Sequence, residues 1–232
     1  MICWSALRDE CLDHLTALKR VAIYGGTFDP VHNGHLEVAR GVLRLFELDE
    51  LILVPAWVPP HKRNAKITSA FHRFAMLALA TQADQRLLVS TIELDAPDRP
   101  YAVDTIERMR GRAERLFFVI GADSWAEITT WVQWARLLTL CDLVVVTRPG
   151  YDVVPSLWGA SVVDLRGQSD EEARQIINKS ASPKVFVSDV VNIDAAATSI
   201  RSLARSGSSE LRQMVPLPVA NYIEKYGLYK TE

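Results

Sequence analysis

Five short apolar runs rich in β-branched residues, each followed by a stretch of helical or turn-rich character, restrict this chain to few folds. They read VAIY (21–24), LILVPA (51–56), RLLVSTIEL (86–94), RLFFVIGAD (115–123) and DLVVVTRPG (142–150). Runs of this length and composition suit strands buried on both faces. After the first, Leu36, Ala39, Val42, Leu43 and Phe46 fall on one helical face. Ser69 precedes a helical run over 71–81 as a good N-cap, and further helices are expected over 103–112 and 131–140. The remainder is less regular, with short strands in ASVVDL and PKVFVSDV. A helix follows in TSIRSLARSG, and a last one, PLPVANYIEKYG, has Pro near its start and Gly after its end. Strands alternating with helices predict an α/β fold: a Rossmann-like, doubly wound, mainly parallel sheet covered on both faces.

The chain has 232 residues, enough for a substantial core. We expect a helical N-terminal extension over 1–20 and a single domain over 21–232, whose helical C-terminal part covers about 194–232. A net charge of −2 gives no electrostatic footprint for nucleic acid or a membrane surface. Three widely spaced cysteines argue against a disulfide framework and for a reducing compartment. No apolar run reaches transmembrane length, and the acidic first twenty residues do not read as a signal peptide, so the expected location is cytoplasmic. Oligomeric state is left open.

The loop after the first strand, GGTFDPVHNGH (25–35), lies where such sheets bind ligands, beyond the carboxyl ends of the strands. Gly25 and Gly26 let backbone N–H groups approach an anion. The loop is neither a dinucleotide fingerprint nor a P-loop, because both G-x-G-x-x-G and G-K-[ST] are absent. His32 and His35 are three apart at the start of the helix, where free N–H groups and the helix dipole already attract phosphate. Gly34 between them leaves room for a ligand. Zinc is disfavoured, since no third ligand is nearby in sequence, and no resident metal site is expected.

This loop resembles the H-x-G-H signature of the nucleotidyltransferase superfamily, and its wording is similar to that of bacterial nicotinate-nucleotide adenylyltransferases. Further segments resemble that family in order: VPPHK (58–62), FHRFAML (71–77), YAVDTI (101–106), IGADSW (120–125), TTWVQW (129–134), TRPGY (147–151), ATSIR (197–201) and YIEKYGLY (222–229). The resemblance implies adenylyl transfer from ATP, carried with Mg²⁺, to nicotinate mononucleotide. His32, His35, Lys62 and Arg201 would carry the charge stabilisation. ATP would meet Gly25, Gly26, Thr27, Phe28, His35, Gly121, Asp123, Thr198, Ile200 and Arg201. The pyridine nucleotide would meet Tyr101, Asp104, Thr105, Trp125, Trp131 and Arg148, with Trp131 stacked on the ring. Arg73 is read either as structural or as facing the site.

Two departures stand out. Ala196 and Ala197 replace hydroxyl residues of the family pattern before Thr198, and Ala102 replaces a threonine. Open alternatives are the same chemistry on nicotinamide mononucleotide or another phosphate acceptor, and a nucleotide-binding sensor without turnover.

Overall fold

The computed structural model describes residues 20–57, 67–96, 100–147, 161–191 and 197–230. Its centre is a seven-stranded sheet in the order β3-β2-β1-β4-β5-β7-β6, with every pairing parallel. The strands are β1 (Arg20–Gly26), β2 (Glu50–Pro55), β3 (Leu87–Val89), β4 (Arg115–Gly121), β5 (Asp142–Val146), β6 (Val162–Asp164) and β7 (Val185–Ser188). The helices are α1 (Asn33–Leu45), α2 (Ala70–Thr81), α3 (Ala102–Met109), α4 (Ala122–Ala126), α5 (Trp134–Leu140), α6 (Asp170–Lys179), α7 (Ala197–Ser206), α8 (Leu211–Met214) and α9 (Leu217–Tyr226).

Side-chain alternation along the strands builds two cores. Ala22, Tyr24, Leu51, Leu53, Phe117, Val119, Val144 and Phe186 point to one face, where α1, α2, α6, α7, α8 and α9 cover them. Val21, Ile23, Ile52, Val54, Phe118, Ile120, Leu143, Val145 and Val187 point to the other, against α3, α4 and α5. The strand order reverses between β1 and β4, so their carboxyl ends diverge into loops on opposite sides and open a crevice.

Several expected boundaries shift, each for a local reason. The third strand stops at Val89 instead of Leu94, because it is an edge strand and residues 91–95 turn, with the Asp95 N–H donating to the Thr91 carbonyl. The fourth ends at Gly121, and Asp123 lies in a helical turn that begins at Ala122 instead of closing the strand. The helix expected from Trp131 starts at Trp134, because Gln133 is left-handed (φ 52°) and a 3₁₀ turn occupies Ile128–Thr130. Helix α6 was not expected from the sequence. Its face buries only Ala173 and Ile177, but Ser169 and Glu172 form a reciprocal capping box that fixes its start.

One buried cation ties the loops at the carboxyl edge together. Arg73, on α2, is 1% exposed, and its guanidinium donates to the carbonyls of Thr27, Ala56, Trp57 and Thr68 at 2.6–3.1 Å. Burial pulls its pKa down, while Asp29, Tyr229 and Glu93 pull it up. The loops after β1 and β2 and the entry to α2 thus share one anchor. Replacing it with a neutral side chain of similar length leaves those buried carbonyls unpaired. Arg73→Met is expected to lower folding stability by about 3–5 kcal/mol, read from urea denaturation. A loss below about 1 kcal/mol would mean that water reaches these carbonyls in the native state.

Candidate active site

The first loop reaches the crevice through a close aromatic contact. A Cβ on Gly26 would lie 2.8 Å from the Phe28 ring, so only glycine lets that ring pack over the strand end. Phe28 is itself left-handed (φ 49°), a conformation a buried aromatic ring keeps only when packing fixes it. Its ring meets Tyr24 edge-on at 5.4 Å and His35 at 4.9 Å.

His32 is the N-cap of α1 and His35 its third residue. The His35 N–H donates to His32 Nδ1 at 3.4 Å, and the His32 N–H donates to His35 Nδ1 at 3.3 Å. Each neutral ring accepting at Nδ1 must carry its proton on Nε2. The two rings stack with centroids 3.7 Å apart. His32 is buried and His35 half-buried. The cap therefore turns two imidazoles into Nε2–H donors beside a helix N-terminus, a combination suited to phosphoryl oxygens.

Arg201 joins this loop from α7. Its Nη1 donates to the Asp29 carbonyl at 2.9 Å and its Nη2 to Thr198 Oγ1 at 3.1 Å. The same Asp29 is held by its carboxylate, which accepts from the Tyr229 hydroxyl at 2.7 Å and the Thr68 N–H at 3.2 Å. Burial and the Asp29 charge drive the Tyr229 phenol well above its ordinary pKa, so it stays a donor.

Beside the loop lies a cavity of about 480 Å³, bordered by Gly25, Gly26, Thr27, Tyr101, Thr105, Asp123 and Trp131, with Glu93, Phe118, Ser124 and Glu127. Trp131 caps the 3₁₀ turn and packs edge-on against Phe118 at 6.4 Å. Its buried Nε1–H has no partner among the described residues. Gly121 is the N-cap of α4, and a Cβ there would clash with Asp123 Oδ1, so Gly121 permits the position Asp123 takes. Glu93 accepts from Thr105 Oγ1 at 2.8 Å and from the Trp57 N–H. Burial raises its pKa, and those hydrogen bonds with Arg73 and Arg108 oppose the rise.

Gly25, Gly26, Thr27, Tyr101, Thr105, Asp123 and Trp131 border the cavity, and His32, His35, Thr198 and Arg201 gather at the loop, but other expected residues take a different task. Trp125 is 3% exposed in the core and does not border the cavity. Asp104 accepts from the Tyr101 N–H at 2.9 Å as a helix cap and also lies off the cavity. The Ile200 side chain is fully buried in the core, which leaves only its backbone for a ligand. Lys62, Arg148 and Ala196 lie outside the described residues. Sequence reasoning missed Glu93, Glu127 and Tyr229. Glu93 sits in a run that reads as strand, and only its turn inward reveals it.

Residues 23–202 match the cytidylyltransferase-like family. A Thermoanaerobacter sp. (strain X514) protein named "Probable nicotinate-nucleotide adenylyltransferase" is 37% identical, over 92% of this chain and 95% of its own length. A protein of the same name from Pseudomonas aeruginosa (strain UCBPP-PA14) is 35% identical, over 91% of this chain and 98% of its own. Among solved structures, Plasmodium falciparum nicotinic acid mononucleotide adenylyltransferase complexed with NaAD superposes with a TM-score of 0.67. It is 17% identical and aligns over 92% of this chain and 98% of that one, a likeness of fold. With this loop, this sheet order and relatives matched over nearly their whole length, the chain belongs to the cytidylyltransferase-like nucleotidyltransferases and, within them, to the nicotinate-nucleotide adenylyltransferase family.

Proposed function

We propose that this protein transfers the adenylyl group of ATP to nicotinate mononucleotide, forming nicotinate adenine dinucleotide and pyrophosphate, a step of NAD biosynthesis. The observation that carries this reading is the stacked His32–His35 pair, both donors on Nε2, next to a cavity walled by Trp131. A phosphate oxygen of the mononucleotide attacks the α-phosphorus of ATP. The bond to the bridging oxygen breaks, and pyrophosphate leaves with the electron pair. The nucleophile is already anionic at neutral pH, so no general base is needed. Catalysis is positioning and charge stabilisation.

His35, the more accessible imidazole, donates to the phosphoryl oxygens in transfer, and His32 fixes its tautomer and supports it. Gly25, Gly26, Thr27 and Phe28 shape the loop that meets ATP. Arg201, with Thr198 and the N-terminus of α7, takes the β- and γ-phosphates. Gly121 and Asp123 face the nucleotide ribose. In this scheme Lys62 adds charge for the phosphates and Arg148 for the pyridine nucleotide. Mg²⁺ enters as part of the ATP substrate, neutralising its triphosphate. Tyr101, Thr105 and Trp131 receive the pyridine nucleotide, the ring stacking on the indole. The buried free thiol of Cys141 fits action in a reducing cytoplasm.

Pyrophosphate release from MgATP should be faster with nicotinate than with nicotinamide mononucleotide by about ten-fold or more in kcat/KM. Release with neither acceptor, alongside intact ATP binding, would replace this reading with a nucleotide sensor. His35→Ala should retain the fold by circular dichroism and lose about 10²–10³ in kcat. An unchanged kcat would remove His35 from the mechanism.

A further inference from the structure

The cavity assigned to the pyridine nucleotide is acidic. Its described lining carries Glu93, Asp123 and Glu127 and neither lysine nor arginine. Such a wall suits a cation. Every pyridine mononucleotide brings one: the ring nitrogen bonded to ribose is quaternary and positively charged, whatever group the ring carries elsewhere. The aromatic rings of Tyr101, Phe118 and Trp131 line the same space, and aromatic faces also favour cations.

Among the three carboxylates, Glu93 is held from two separate elements. The Thr105 hydroxyl on α3 and the Trp57 N–H beyond β2 both donate to it. Burial favours the neutral acid, but the two fixed donors favour the ionised carboxylate, which only accepts. Arg73 and Arg108 also act on it, but neither borders the cavity, and Arg73 is bonded to backbone carbonyls. The charge therefore faces the cavity without a cation in the described lining to match it. Adenylyl transfer as derived above gives Glu93 no part.

We infer that Glu93 is a specificity-determining residue: its carboxylate, positioned by Thr105 and Trp57, supplies the counter-charge for the quaternary ring, so that the pocket selects a charged pyridine ring over a neutral one. This rests on the pyridine-nucleotide reading of the site. Glu93→Gln keeps the size and an acceptor oxygen but removes the charge, which separates this role from a purely structural one.

The test compares nicotinate mononucleotide with its dihydro form, whose ring is neutral and whose other groups are the same, by calorimetry on wild type and Glu93→Gln. Wild type is expected to bind the charged ring about ten-fold more tightly, and the variant to lose at least about three-fold of that ratio while its ATP affinity stays unchanged. Equal wild-type affinity for the two rings overturns the inference and needs no variant, so the test stands even where Glu93→Gln does not fold. A variant that keeps the wild-type ratio, or loses ATP affinity equally, overturns it as well. In those cases adenylyl transfer to a pyridine nucleotide still stands. Wild type that binds neither compound would sink both readings.

Discussion

The buried guanidinium of Arg73 is the constraint on which the site depends. A parallel sheet delivers its strand ends to one edge but leaves the loops beyond them with backbone carbonyls facing inward. Four such carbonyls, from the loops after β1 and β2 and the entry to α2, converge on Arg73. Burying one charge is costly unless its donors are matched, and here the matching fixes three chain segments at once. The Thr27 carbonyl is one of them, so the arginine reaches directly into the loop that carries Phe28, His32 and His35. A lysine could not do this, because a single ammonium cannot reach four divergent acceptors.

Around that anchor the site divides by charge. The loop after β1 presents donors: two imidazole Nε2–H groups, the N-terminus of α1 and the Arg201 fork. The cavity beside it presents acceptors and aromatic faces: Glu93, Asp123, Glu127, Tyr101 and Trp131. On the proposed function, nicotinate mononucleotide brings its phosphate to the donors and its ring, whose quaternary nitrogen balances the ring carboxylate, to the cavity. The crevice can then orient that molecule before any close contact forms, because the reversed placement sets the phosphate against these carboxylates.

Much of this was legible in the sequence because the signals were local. Apolar runs with β-branched residues located the inner strands, and Pro218 and Gly227 bracketed the last helix. The loop at 25–35 announced itself by composition. What stayed hidden depended on tertiary contact. Trp131 read as helical because apolar residues continue through 140, yet the left-handed Gln133 frees it from the helix and turns it to the cavity. Trp125 and Asp104 lie beside true cavity residues in sequence, but helical geometry sends one into the core and the other back to cap its own helix. Helix α6 was missed although its capping box was visible, because its polar face outweighed the two residues it buries. No sequence signal links Glu93 to Thr105 or Asp29 to Tyr229.

That last pair has a consequence for how the protein is made. Tyr229 is 200 residues beyond Asp29, and its hydroxyl holds the carboxylate of the loop whose carbonyl holds Arg201. During synthesis the amino-terminal strands emerge first and can begin to pair, but the clasp on Asp29 cannot close until Tyr229 has left the ribosome. Chains not yet extended to Tyr229 can therefore possess the sheet and still lack the clasp on this loop. The finished loop arrives as a late event, tied to synthesis of Tyr229.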